Sequence, residues 1–261
     1  MPATFDLDIH NKVAWLTLAG DPDHALTLDV LMEIESELSA LADHDLARVA
    51  VLTGTDGAFC SGWDAPPSLR LVDSGGGWAW GSPRHISSVF AKIAAAPLPL
   101  LAAIDGDALD AGLELALVCD VRLCSERARF GFPAGVEAGQ LPLGGAAARL
   151  ARAAGQGTAS LLLLTGETLD AAGALASGLV SGIYPAERLA DEAERLAGAI
   201  AARGPIATRY AKEAVARGME MPLDQALRVE TDLTIILQST ADRAEGVRAF
   251  AEKREPRFTG E

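Results

Sequence analysis

Asp105-Gly-Asp-Ala-Leu-Asp-Ala-Gly-Leu-Glu-Leu-Ala-Leu-Val-Cys-Asp120 follows the apolar run Leu100 to Ile104. The run is short and continuous, sits just after Pro97 and Pro99, and ends at an Asp-Gly turn, which predicts a buried strand. The small residues after the turn open a short helix, Ala111 to Cys119, and Val121 to Cys124 reads as the next strand. A second segment of the same kind lies upstream. Arg48 to Thr53 predicts another buried strand, and the Gly54 to Gly62 loop after it leads into Gly57-Ala-Phe-Cys-Ser-Gly-Trp-Asp64. Both segments place bare backbone N–H groups at the end of a buried element, and a helix N-terminus adds partial positive charge. Two such donors aimed at one point form an oxyanion hole, suited to a carbonyl oxygen that gains negative charge. Taken alone, either segment is also an ordinary glycine turn.

Glu114 narrows the choice. Leu113, Leu115, Ala116, Leu117 and Val118 surround it, so the short helix has no broad polar face for it to join. Carboxylates are rarely buried without a partner, and desolvation favours their neutral form. Three residues after Ala111, Glu114 lies on the same side of the helix as that first-turn N–H. A donor pair with a carboxylate one turn away suits proton transfer or water activation next to a carbonyl. The alternative is a structural carboxylate paired with an arginine such as Arg122.

Working outward, residues 5–18 alternate apolar and polar around His10-Asn11-Lys12, which predicts a β-hairpin. Thr27 caps a helix through Leu41, with Leu28, Leu31, Ile34, Leu38 and Leu41 at helical spacing. Residues 65–81, with two prolines and Gly75-Gly76-Gly77, are expected to form a mobile surface loop. Ser82 and Pro83 are suited to the N-cap and N1 of a helix carrying Ile86, Val89, Phe90 and Ile93. After residue 144 the chain turns helical. Thr168 is expected to cap a helix ending near Gly178, and Leu179 to Tyr184 to form a last strand. Three amphipathic helices should follow, broken near Gly204-Pro205 and Met221-Pro222, with a polar tail from Lys253 on the surface or on a neighbouring subunit. The expected class is α/β, with residues 1–200 as the core carrying the site and 201–261 as a helical region.

With 261 residues, nearly half of them apolar, the chain can bury a substantial core. The formal charge of −14 argues against nucleic acid, which needs a basic face. Cys60, Cys119 and Cys124 show no paired metal spacing, and His10, His24, His44 and His85 no ligand spacing, so no metal is expected. Cys60 lacks a nearby activating base and reads as a small core residue. The odd cysteine count, the plain N-terminus and the absence of a long apolar run point to a cytoplasmic protein with no membrane partner.

The paired segments resemble the motifs of the crotonase (enoyl-CoA hydratase/isomerase) family, F-[CS]-[AS]-G-x-D and N-G-x-A-x-G-G-G-x-E-L…C-D. Here they stand as Phe59-Cys-Ser-Gly-Trp-Asp64 and Asp105-Gly-Asp-Ala-Leu-Asp-Ala-Gly-Leu-Glu-Leu115…Cys119-Asp120. The similarity also runs through Asp23-His-Ala-Leu-Thr27, Leu163-Leu-Thr-Gly-Glu-Thr-Leu-Asp170, Gly178-Leu-Val180 and the tail. It implies a spiral of ββα units with C-terminal helices that build homotrimers, often paired into hexamers. It further implies an acyl-CoA substrate whose coenzyme A is part of the substrate, with no separate cofactor. The oxyanion donors would be the Trp63 and Ala111 N–H groups. Phe59, Ser61, Gly62, Asp64, Gly112 and Pro133 would shape the binding site, and Glu114 would handle the water.

Three departures stand out. The family's second glutamate follows F-x-x-P-E, whereas this chain has Phe130-Gly-Phe-Pro-Ala134. Ala134 cannot donate a proton, which leaves Glu137 as the candidate substitute, with a solvated surface glutamate as its other reading. Asp110 and Ala111 replace two of the usual glycines, and Asp110 adds a carboxylate that repels an enolate unless it points away. Where the family often has a basic residue near the coenzyme, this chain has Asp23-His24. Trp78, Trp80 and Phe90 are candidate walls of the acyl pocket, and His85 another residue that could face it. Gly144-Gly145 resembles a phosphate loop only weakly. The leading expectation is hydration of a 2-enoyl-CoA, or the reverse dehydration. Double-bond isomerisation, decarboxylation of a malonyl-type CoA, and silent acyl-CoA binding are the alternatives.

Overall fold

The computed structural model describes residues 4–20, 24–44, 46–64 and 82–261. In chain order the first elements are β1 (Thr4–His10), β2 (Val13–Ala19), α1 (Leu28–Asp43), β3 (Val49–Gly54), α2 (Pro83–Ala94) and β4 (Leu100–Ile104). Then come β5 (Asp107–Leu109), α3 (Ala111–Val118), β6 (Val121–Ser125), β7 (Arg129–Gly131), α4 (Pro133–Glu137), α5 (Ala146–Ala154) and α6 (Gln156–Thr165). The rest are β8 (Thr168–Asp170), α7 (Ala171–Ala176), β9 (Gly182–Tyr184), α8 (Ala186–Ala201), α9 (Pro205–Gly218), α10 (Leu223–Leu237) and α11 (Ala241–Glu252). The expected mobile loop, and Trp78 and Trp80 within it, lie outside the described residues.

The expected hairpin forms: β1 and β2 pair antiparallel from Thr4↔Ala19 to His10↔Val13. The two turn residues, Asn11 and Lys12, sit at positive φ of 51° and 64°, which matches the twist of the flanking strands. One sheet then runs β1-β2-β3-β4-β6-β9, parallel from β2 onward, and a smaller one runs β5-β7-β8. The central strands are apolar on both faces, as parallel strands covered on each side must be. Val49 and Val51 meet Leu189, Ala193 and Ala197 of α8 on one face. Ala50 and Leu52 meet the cluster of Leu31, Ile34, Ile86, Phe90 and Leu113 on the other. The predicted caps also form, with the Val30 N–H donating to Thr27 Oγ1 (3.2 Å) and the His85 N–H to Ser82 Oγ (3.3 Å).

Three expectations are corrected. Thr168 does not cap a helix, because Thr168–Asp170 pairs antiparallel with β7 and the cap passes to Asp170, whose carboxylate accepts from the Gly173 N–H at 2.7 Å. Strand β9 starts only at Gly182, since the Leu179 and Val180 amides donate to Ala174 O and finish the turn after α7. After Tyr184 there are four helices rather than three. The unread break is at Ser239-Thr240, where the Arg243 N–H donates to Thr240 Oγ1 at 3.2 Å without a glycine or proline. The tail lies on the surface, the first of the two places expected for it, and is held to its own chain. Thr259 and Gly260 N–H donate to the buried Asp242 carboxylate (2.7 and 3.0 Å), and Arg48 donates to Phe258 O at 2.7 Å.

Arg122 secures the end of α3. Its guanidinium donates to Cys119 O (2.6 Å) and Ala116 O (3.3 Å), giving the carbonyls at the helix terminus a cation, and to Leu179 O (2.7 Å). It makes no bond to Glu114, so the structural ion pair weighed from the sequence does not form. Arg122→Met should lower unfolding free energy by about 3 kcal/mol, because charged hydrogen bonds are lost and half-buried carbonyls are stranded. A urea titration checks this, and a loss below about 1 kcal/mol would rule the role out.

Candidate active site

The two segments are brought together by a single bridge. Cys60 pairs with Ala108 of β5, its N–H donating to Asp107 O (2.9 Å) and its carbonyl accepting from the Leu109 N–H (3.1 Å). The approach is so close that a Cβ on Gly112 would stand 2.0 Å from Cys60 O, so only glycine fits there. On the far side, Leu26 takes its neighbours: the Leu26 N–H donates to Gly62 O (2.7 Å) and the Asp64 N–H to Leu26 O (3.1 Å). The alternation of an extended chain turns the intervening Trp63 N–H away from Leu26. Among the described residues, no acceptor is paired with the Trp63 N–H or with the Ala111 N–H, the first of α3. Trp63 lines a cleft with Ser61, Gly62, Asp110 and Glu114, and buried Ala111 lies between the last two.

Glu114 is fully buried. One carboxylate oxygen, Oε1, accepts from the Gly144 N–H and from the Ala146 N–H at 3.4 Å, the latter at the start of α5. The other, Oε2, has no protein partner. Burial drives its pKa up, the amide bonds oppose this, and the nearby Asp110 charge adds to the rise, leaving it at about 7. The side chain is therefore half held and half spare, and poised to exchange a proton near neutral pH.

Asp110 is also buried and adopts φ 46°, ψ −113°, a backbone geometry that costs a non-glycine residue about 1–3 kcal/mol. Its carboxyl turns toward α4, where Oδ1 accepts from the Gly135 N–H (2.8 Å) and Oδ2 from the Ala134 N–H (3.3 Å). It neither lies on the Ala111 N–H nor leaves the cleft. Ala134 lines the same cleft, whereas Glu137, at the exposed end of α4, does not. The candidate substitute acid, Glu137, is exposed and thus lies outside the cleft.

The remaining candidates divide between lining and support. Ser61 and Gly62 line the cleft, while Phe59 is fully buried and Gly112 is packed against Cys60. Asp64 is exposed, and Pro133 opens α4. Phe90 is not a wall. It packs edge-on against Trp63, with ring centroids 6.3 Å apart, and a Cβ on Gly144 would lie 2.6 Å from its ring. Cys60 is buried and its thiol is pushed up to about 11 by desolvation, in keeping with a packing role. His24, at the family's basic position, is buried with its ring nitrogens 3.1 Å from Gly20 O and 2.9 Å from Thr55 O. Asp23 lies outside the described residues. Sequence reading missed Gly144 and Ala146 as the anchors of Glu114, although the Gly144-Gly145 pair before a helix was a visible signal of free amides. It also missed Phe132, Ala138, Gln140, Leu141 and Leu143, which join the lining among the described residues. Among the described residues, no group of three or more His, Cys, Asp or Glu side chains is placed to hold a metal ion, and no helix is long and apolar enough to cross a membrane.

Comparison with known proteins agrees with this geometry. A family profile described as enoyl-CoA hydratase/isomerase matches residues 8–261. A probable enoyl-CoA hydratase of Mycobacterium tuberculosis is 39% identical over 90% of both chains. The 2,3-dehydroadipyl-CoA hydratase of Escherichia coli is 36% identical over 91% of both. Among solved structures, an enoyl-CoA hydratase from Bacillus anthracis superposes with a TM-score of 0.87 at 34% identity, covering 98% of this chain and 99% of that one. A putative enoyl-CoA hydratase from Streptomyces coelicolor gives a TM-score of 0.89 at 30% identity, with coverage of 98% and 94%. With its fold, its paired loops and its buried glutamate all in place, the chain belongs to the enoyl-CoA hydratase/isomerase family.

Proposed function

We propose that this protein hydrates 2-enoyl-CoA thioesters, and dehydrates the corresponding 3-hydroxyacyl thioesters in reverse. The observation that carries the reading is Glu114, with one oxygen fixed by backbone amides and the other spare, in a cleft lined by Trp63, whose N–H is uncommitted, and by Asp110 and Glu114, which flank the uncommitted Ala111 N–H in sequence. The Trp63 and Ala111 amides would hold the thioester oxygen as it becomes an enolate, and Glu114 would take a proton from the attacking water. Coenzyme A enters as part of the substrate, and no separate cofactor is required. The hydratase names of the relatives at 36–39% identity support the same reaction.

The working form is a homotrimer or a dimer of trimers. Exposed Met219, Leu223, Leu227, Ile235 and Phe250 on the C-terminal helices support this, being apolar surface that association would cover. Residues 201–261 would then be the trimerisation region. A cytoplasmic location is supported by three free, buried cysteines. Ala134 favours a second reading, in which one carboxylate serves a double-bond isomerase or a malonyl-type decarboxylase.

Crotonyl-CoA should lose its conjugated thioester absorbance when mixed with the purified protein. Binding without that loss would move the assignment to the single-carboxylate reactions. Glu114→Gln should lower kcat by about 10³-fold while the protein still binds a saturated acyl-CoA. Glu137→Ala should leave the rate within about twofold, since its side chain is outside the cleft. Because Glu114 must be deprotonated to accept the water's proton, kcat/KM should climb with pH through about 7.

The same shift has a stability consequence. Folding raises this carboxyl from 4.5 to about 7, so the folded state holds the proton more tightly. Stability contributed by Glu114 should therefore fall as pH rises through that window, reaching a cost of roughly 3 kcal/mol above it. Glu114→Gln should unfold at higher urea than the parent at pH 8, and the gap should close toward pH 4. An equal or lower midpoint at pH 8 would contradict the assigned shift.

A further inference from the structure

The family pattern places its second carboxylate on residue 134, and here that position holds a methyl group facing the cleft. Another carboxylate has arrived at the same place from the opposite wall. Asp110 precedes Ala111, a proposed oxyanion donor, yet its side chain reaches across to α4 and takes the N–H groups of Ala134 and Gly135. Its Oδ2 also lies alongside the other donor segment, since a methyl group built on Gly62 would sit 3.8 Å from it. The carboxyl therefore lies beside Gly62, the residue before Trp63, and against the first turn of α4, and it borders the cleft shared with Glu114. A residue at positive φ, where glycine fits without strain, is retained only if something compensates for it.

We propose, on the hydratase reading above, that Asp110 is the second catalytic carboxyl of this enzyme and exchanges the proton at the substrate α-carbon. Oδ1 is anchored by the 2.8 Å bond from Gly135, while Oδ2, with only the 3.3 Å contact from Ala134, carries the proton. Burial favours that protonated form, against the pull of the two amides. In the hydration direction Glu114 takes a proton from water and the hydroxyl bonds to the β-carbon. The π electrons of the double bond move onto the thioester oxygen, forming the enolate between the Trp63 and Ala111 amides. The Asp110 O–H bond then breaks, the enolate electrons form the new C–H bond at the α-carbon, and the thioester carbonyl returns. Glu114 passes its proton back to Asp110 through solvent in the cleft, so one water has been added and both carboxyls are reset.

The test uses two readouts on the full-length protein. One is hydration of crotonyl-CoA. The other is exchange of the α-hydrogens of butyryl-CoA in D₂O, which needs the enolate and the α-carbon acid but no water attack. Asp110→Asn should slow both at least 100-fold while the KM for crotonyl-CoA changes less than threefold. Asp110→Gly, which suits the positive φ, should do the same should the asparagine variant fold poorly. Adding Ala134→Glu to Asp110→Gly should restore at least tenfold of the loss, because it returns a carboxyl to the same space from α4. Either single variant working within threefold of the parent, or faster, overturns the assignment and makes Asp110 a tolerated or repulsive charge. A parent that exchanges α-hydrogens in an Asp110-dependent way yet does not hydrate would sink the hydratase reading and leave Asp110 standing. A parent that does neither would overturn both.

Discussion

A fully buried carboxylate in an apolar helix constrains more of this structure than any other single group. Glu114 lies at 0% exposure, where an unmet charge is untenable, and its own helix offers it nothing. The solution is one amide from the turn before α5 and one from its first residue, which fix where α5 must start relative to α3. The same turn lies against the Phe90 ring of α2, close enough that residue 144 must be glycine. Three helices are thus locked around one oxygen atom. The second oxygen is left over, and that remainder is what gives the site its chemistry.

The balance at Glu114 shows how the environment sets reactivity. Each amide bond to a charged group is worth roughly 1.5–3 kcal/mol, but removing a carboxylate from water costs several. Desolvation wins by a modest margin and the group titrates near neutrality rather than near 4.5. Full pairing of both oxygens would have made Glu114 an inert structural anion, and no pairing would have kept it protonated. The half-paired arrangement keeps it close to the operating range of a general base.

The oxyanion loops rely on equally few contacts. One bridge between Cys60 and Ala108, and two bonds in which Leu26 donates to Gly62 O and accepts from the Asp64 N–H, orient both donor peptides. The strands involved are only three residues long or less, so precision comes from close packing at Gly112 rather than from an extended ladder. Against this frame Asp110 is out of character for its position. Its backbone keeps the geometry that glycine would take, and its side chain occupies space next to residue 134.

Much of this was legible in the chain because it is encoded within a turn or two. Alternation marked the β1–β2 hairpin, Thr27 and Ser82 marked helix starts, and an apolar helix with one carboxylate marked Glu114 as a group needing a partner. What the sequence could not supply was the partner. The amides that hold Glu114 lie 30 and 32 residues away, and those that hold Asp110 lie 24 and 25 away. The same gap explains why Thr168 misled, since its strand pairs with β7 far upstream, and why the tail's return to Asp242 was unseen. Glu137 was a candidate by proximity in sequence, and only the direction of α4 put it in solvent. The sequence by itself determined the local elements and the need for a buried acid to be satisfied. Only the tertiary structure decided which amides satisfy it and which carboxylates share its cleft, because those contacts depend on how distant elements pack rather than on any local pattern.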